Sequence, residues 1–212
     1  MAETIVEFFR NLFGNDIITI FFVSAIPFVE LRGAILIGIG GGMMVNPWLV
    51  WLLSWLGSTA LGVILFFILR PVLNLLKKIK GFGRFVEKVE NIINEKAQKV
   101  GKKTEGVDNK KHADKIKTIG VAGFIAIPLP LTGTWTGTGI AVFLGMSFKQ
   151  TITAVAIGNA IASTIIFTLG MLFKEYIDII LYALCALILL VVIFYVIKIV
   201  KKGKKADAKE NE

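Results

Sequence analysis

The chain has 212 residues, 55% of them hydrophobic and 18% charged, with a net charge of +9 and a mean hydropathy of +0.75. A soluble domain carries about 25% charge, and here the charge is segregated: residues 70–117 hold fourteen Lys/Arg against six Asp/Glu, and 198–212 hold six against three. This excludes an ordinary water-soluble fold, leaves no length for a separate soluble enzyme domain, and points to apolar segments in lipid with basic segments beside an anionic leaflet.

Residues 1–16 place Ile5, Val6, Phe8, Phe9, Leu12 and Phe13 between Glu3, Glu7 and Arg10, which predicts a short amphipathic interfacial helix. Glu3 and Glu7 stand where a cleavable signal carries positive charge, so no such signal is expected. Residues 17–45 are apolar but broken near the middle by Pro27, Glu30 and Arg32, with an exit turn expected at Gly40, Gly41 and Gly42. Residues 48–69 contain no charge and rise about 33 Å as a helix, enough to cross a hydrocarbon core of roughly 30 Å. Trp48, Trp51 and Trp55 crowd its first two turns as an interfacial belt does, and Pro71 with the basic run after Arg70 is expected to end it. Residues 72–94 repeat Leu75, Leu76, Ile79, Phe82, Val86, Val89 and Ile93 at helical spacing, an amphipathic helix lying on the membrane or on the protein. Residues 101–115 read as a polar, mobile loop. A second broken apolar segment, 118–147, carries Pro128 and Pro130 among threonines and glycines. Residues 150–173 and 179–197 can each span, and 199–212 form a basic tail.

Each arm beside the two breaks has about 10–15 residues, roughly 15–22 Å of helix, which reaches halfway across a bilayer. Two re-entrant hairpins with tips near the midplane are the economical reading, since broken backbone is tolerated there only inside protein or a wet cavity. Kinked full spans are the alternative. The charge map favours the hairpins: with residues 71–117 and the tail both cytoplasmic, the parity closes if 118–147 enters and returns on one side. An offset of 101 residues aligns Pro27 with Pro128, Gly38 with Gly139 and Gly57 with Gly158. The expected fold is therefore all-α and polytopic: a single membrane domain over 1–198, built as an inverted repeat (about 17–70 and 118–173) of hairpin plus span, with a final span at 179–197. Three transmembrane helices and amphipathic interfacial helices complete it, in a multi-pass protein of the cell membrane.

Glu30 and Arg32 are the sharpest functional signal. A charge at mid-membrane costs about 2.5–3.5 kcal/mol on an insertion scale, which a polar cavity or a complementary partner offsets. Arg32 can hold an anionic headgroup or phosphate, and Glu30 can titrate; the alternative is an internal ion pair that locks the hairpin. At the second tip Thr132, Thr134, Thr136 and Thr138 offer hydroxyls, Trp135 a wall or packing, and Gly133, Gly137 and Gly139 tight turns and close approach. Those hydroxyls serve either a ligand or the broken backbone itself. Gly57, Ser58, Gly62, Gly158, Ala160, Ala162 and Ser163 read as close helix contacts, and Asn159 as a partner for a hairpin tip. Cys185, the single cysteine, excludes an internal disulfide and reads as a buried small hydrophobe. His112, the single histidine, excludes a multi-histidine metal site. No catalytic set, cofactor motif or nucleic-acid signature accompanies them.

The stretches PFVELRGAILIGI (27–39) and IPLPLTGTWTG (127–137) closely resemble the two signature regions of the small multi-drug export protein family, a relative of the DedA/VTT membrane proteins. The resemblance runs over about residues 16–175. It implies two opposed re-entrant hairpins, with Glu30, Arg32 and Gly33 matching one signature and Pro128, Pro130, Thr132, Gly133, Trp135, Thr136 and Gly137 the other. Leu36 stands where the family has a second proline, and Leu131 where a glycine is usual, which changes the turn available at that tip.

Three functions follow as expectations. The first is a secondary transporter of a small molecule, coupled to protons, with Glu30, Arg32, Thr132, Thr134, Trp135 and Thr136 at the substrate and Pro27, Gly33, Pro128, Pro130, Gly133 and Gly137 shaping the hairpins. The second is a translocase of a lipid or polyprenyl-phosphate carrier, and the third a non-transporting structural or assembly protein. Membrane lipids and a second copy of the chain are the expected partners, with no cofactor and no metal.

Overall fold

Asn15 starts the hydrophobic part of the fold: its side chain accepts from the Ile17 amide at 2.8 Å and caps a short helix. The structure, a computed structural model, describes residues 2–27, 29–77, 109–129, 132–187, 189–190 and 193–194. In order they form α1 (Ala2–Phe13), α2 (Asp16–Val23), α3 (Glu30–Gly40), α4 (Pro47–Lys77), α5 (Asn109–Ala126), α6 (Thr134–Phe143) and α7 (Phe148–Leu172). A 3-10 turn (Lys174–Tyr176) leads into α8 (177–187). The described residues are thus all-α. Gly14 and Gly42, both at φ +66°, close α1 and the turn after α3 in a left-handed conformation that glycine adopts freely.

Two helices are long and apolar enough to cross a membrane among the described residues, Pro47–Leu73 in α4 and Phe148–Leu172 in α7, which fits a multi-pass membrane location. Their polarity is reversed relative to a soluble protein. Ile64, Phe67, Ile157, Ile161 and Leu169 face outward, whereas Ser54, Ser58, Thr151, Asn159 and Ser163 are fully buried. Such a distribution suits a surface solvated by hydrocarbon, where polar groups must find partners inside.

α4 and α7 run antiparallel. Trp48 meets Phe167 at one end (ring centroids 4.9 Å apart) and Phe66 meets Phe148 at the other (5.4 Å), while Ser58 meets Asn159 between them. α5 and α6 are antiparallel too, because Ile125 packs on Gly137 near the break and Lys117 bonds the Leu144 carbonyl at the far end. In the first half α2 packs against α3 as well. The two sets of three helices make matching contacts. α2 packs on α4 as α5 packs on α7, and α3 crosses to α7 as α6 crosses to α4. A Cβ on Gly57 would strike Phe21 and Ser24; one on Gly158 would strike Ala122 and Ile125. Each residue of the second contact lies 101 positions after its counterpart in the first.

Several expectations need correction. α4 continues through Pro71 to Lys77 instead of ending there. Proline removes one hydrogen bond, to the Phe67 carbonyl, yet the helix runs on for six residues beyond it. Residues 72–77 therefore belong to α4, and the rest of the amphipathic stretch (78–94) lies outside the described residues, as does the basic tail. The polar loop is shorter than expected, since 109–115 already form the first turns of α5; their Lys and Ala are good helix formers. Of the final span, 177–187 is helical and the end lies outside the described residues. Cys185 is partly exposed, not buried.

Candidate functional site

Glu30 opens α3 with φ +48°, a left-handed backbone found at no other non-glycine among the described residues. That conformation costs about 1–2 kcal/mol, and the contacts of the side chain show what holds it. On a regular helix residues two apart do not meet. Here the unusual start of α3 swings the Glu30 carboxylate back, and Arg32 Nη1 donates to its Oε2 at 2.6 Å. Both residues are buried, at 6% and 5% exposure.

The second hairpin encloses this pair with dipoles. Arg32 Nη2 donates to the Ile127 carbonyl at 2.9 Å, and lies 3.2 Å from the Ile125 carbonyl and 3.3 Å from Thr132 Oγ1. These acceptors are available because the break after α5 leaves its last carbonyls without helical partners. The Trp135 amide donates to Glu30 Oε1 at 3.3 Å. α6 begins at Gly133, which has no side chain to cap it, so the anion at this helix N-terminus is supplied by the other half of the chain. A Cβ on Gly133 would fall on the Glu30 carboxylate. Arg32 Nε is buried without a partner.

A layer of neutral hydrogen bonds lies against the start of α6. Thr134 donates to Asn159 Oδ1 at 3.0 Å, and Ser58 and Thr134 share a 2.7 Å bond. The Asn159 amide reaches Ser58 at 3.4 Å and Thr59 at 3.3 Å. Because Thr134 gives its only proton to Asn159, Ser58 is the donor to Thr134. Ser58 and Asn159 sit close to the centres of the two long apolar helices, so the second tip reaches halfway along both.

The expected site residues therefore divide. Glu30, Arg32, Thr132 and Thr134 come together, joined by the Trp135 backbone. The Trp135 residue itself is exposed, and the Thr136 hydroxyl bonds the Gly133 carbonyl at 3.2 Å. Thr132 also bonds its own broken backbone, at the Ile127 and Leu129 carbonyls (both 2.7 Å). Pro27 and Pro128 lie in the two breaks, Gly33 packs on Val29 and Gly137 on Ile125; Pro130 lies outside the described residues. Gly139, expected at a close approach, faces open space. Sequence reasoning missed Ser58 as a partner of the tip and the carbonyls of Ile125 and Ile127. Ser58 was detectable as the counterpart of Asn159 in the 101-residue alignment; the carbonyls carry no residue-type signal.

Residues 30–165 match the family described as "Putative small multi-drug export protein". The chain belongs to that family. The match runs from Glu30 itself through both tips and most of α7. The family is a transporter class and not a catalytic one, and membership suggests a transport role. Among the described residues there is no group of three or more His, Cys, Asp or Glu able to hold a metal. No curated protein and no solved structure matches the chain.

Proposed function

We propose that this family member is a secondary membrane transporter whose substrate site is the Glu30–Arg32 pair between two re-entrant hairpins. The observation that carries the reading is depth. The Glu30 carboxylate abuts Gly133, whose next residue, Thr134, is bonded to the middles of both candidate spans. If those helices cross a bilayer, the charges lie near its midplane, where they need a strong reason to exist. The antiparallel run of α4 and α7, related by a constant sequence shift, supports an inverted repeat with its axis in the membrane plane. The single membrane domain, a third span including α8, and a cytoplasmic face bearing 71–117 and the tail complete the arrangement.

The chemistry is competitive. Glu30 occupies the place of an anion, held by a guanidinium and a helix N-terminus. Protonation of Glu30 frees Arg32 and the α6 amides for an oxyanion of the substrate, and deprotonation expels it. Arg32 Nε, without a protein acceptor, supplies one donor for such a group. The Glu30 carboxylate and the substrate oxyanion thereby alternate at one point, so that proton and substrate bind and leave together, the minimal logic of coupling. A purely structural ion pair is the competing reading, favoured by the short 2.6 Å contact.

The test uses purified protein in liposomes containing a trapped pH dye, with inorganic phosphate and a short-chain phosphatidylglycerol offered outside. Proton-linked uptake of either probe, lost in E30Q and R32A, is the expected result. Uptake of phosphatidylglycerol alone, with R32A more damaging than E30Q, would select a lipid-phosphate translocase. Normal uptake in both variants would overturn the site.

A further inference from the structure

Among the described residues, the outer surfaces of the two halves differ where α1 lies. In the first, α1 lies across α2 and α3, and Val6 is buried in one apolar cluster with Val23 and Ile39, Phe9 packing against it. Thr19, fully buried, lies within 3.5 Å of the Phe9 carbonyl. In the second half, the counterparts of Thr19, Val23 and Ile39 by the 101-residue shift are Gly120, Phe124 and Ile140. They line an open groove of about 330 Å³ between α5 and α6, together with Ile116, Lys117 and Leu144. A Cβ on Gly120 would meet nothing. Among the described residues, the surface that α1 covers in one half is thus an apolar trough in the other.

The mouth of the trough is charged. Lys117 is the last charge of α5 before the apolar run Thr118–Ala126, which puts its ammonium where a helix passes from headgroups into hydrocarbon. It donates to the Leu144 carbonyl at 3.2 Å, which leaves two of its three protons for another acceptor. Exposed Lys115 and Lys149 lie at the same end. The counterpart of Lys117 in the first half is Asp16, already held by Arg10 at 2.8 Å. A ligand that suits this place has an apolar tail and an anionic head.

We propose that the groove between α5 and α6 is a binding site for one acyl chain of an anionic phospholipid, whose phosphate is held by Lys117. The site is separate from Glu30 and Arg32 and does not depend on transport. It makes a boundary lipid the counterpart of α1, covering the second hairpin as that helix covers the first.

Native mass spectrometry of the whole chain from detergent, with phosphatidylglycerol or phosphatidylcholine added in turn, tests the idea. The unaltered protein is expected to retain phosphatidylglycerol at least about fivefold over phosphatidylcholine, given about 1 kcal/mol for a lysine near an anionic headgroup. K117Q keeps a donor for Leu144 and should bring the ratio close to one. G120L puts a side chain into the trough at a position where a Cβ meets nothing and should reduce retention of both lipids, with an unchanged unfolding temperature showing that it folds. Equal retention of the two lipids by the unaltered protein, or full retention by G120L, would overturn the proposal. A disulfide between G120C and F82C in a C185A background would also overturn it, by giving the groove to the chain itself.

Discussion

The hairpin α2–α3 brings charge to the site, and the hairpin α5–α6 brings dipoles. Their packing glycines match under a shift of 101, yet the two tips carry different chemistry, and the Glu30 carboxylate of the first lies against Gly133 of the second. The first tip supplies two ionised side chains and a strained residue at φ +48°. The second supplies carbonyls at Ile125 and Ile127, an amide at Trp135, and an absent side chain at Gly133. Two similar halves have thus become complementary: one is the ligand of the other. A buried ion pair is tolerated only when its remaining donors and acceptors are met, and here nearly all of them are met from across the repeat.

The largest effects should come from dividing that complementarity. E30Q or R32M alone leaves one uncompensated buried charge and should cost about 3–5 kcal/mol in denaturant unfolding. The double variant should recover most of the loss while showing no flux, which separates a transport site from a structural pair; normal flux in the double variant would remove both residues from the mechanism. G133A pushes a methyl group onto the carboxylate and should cost about 1–3 kcal/mol. G139A, facing open space, should stay within about 0.5 kcal/mol, and equal effects at the two glycines would deny the close approach. N159A leaves Thr134 without its acceptor and should cost about 1–2 kcal/mol while weakening proton-linked uptake.

The smallest effect lies at the edge of the first hairpin. The hydrogen bonds from Arg10 hold the Asp16 carboxyl below the usual carboxylate range. A depressed carboxylate stabilises the fold above its unfolded value of about 3.9, and this is lost as pH falls through the lower folded value. Unfolding should therefore be insensitive to Asp16 from neutral pH to about 5, and soften below about 4 in the unaltered protein but not in D16N. A D16N profile that fell in parallel would assign the acid loss elsewhere.

Much of this was legible in the chain. Uncharged runs announced α4 and α7, prolines announced both breaks, and Glu30 and Arg32 stood out because charge is costly where everything around it is apolar. The alignment of glycines announced the matching halves. Other features were not legible. Pro71 looked like a terminator because proline breaks helices in general, and whether a helix continues past one is decided by its packing. The threonines looked equivalent, yet Thr134 faces Asn159 while Thr136 turns back on its own helix. The chief partners of Arg32 are carbonyls, and every residue has one.

The crossing of α3 onto α7 and α6 onto α4 has a consequence for how the protein is made. Glu30 and Arg32 leave the ribosome about 100 residues before Thr132, at 5–20 residues per second, so the first hairpin waits several seconds without its enclosing dipoles. During that interval the pair lacks the Ile125 and Ile127 carbonyls and the Trp135 amide that enclose it in the finished fold. Burial of the pair is then a late event, completed only when the second turn arrives, and the nascent chain passes through a stage at which its two ionised side chains are made but not yet enclosed.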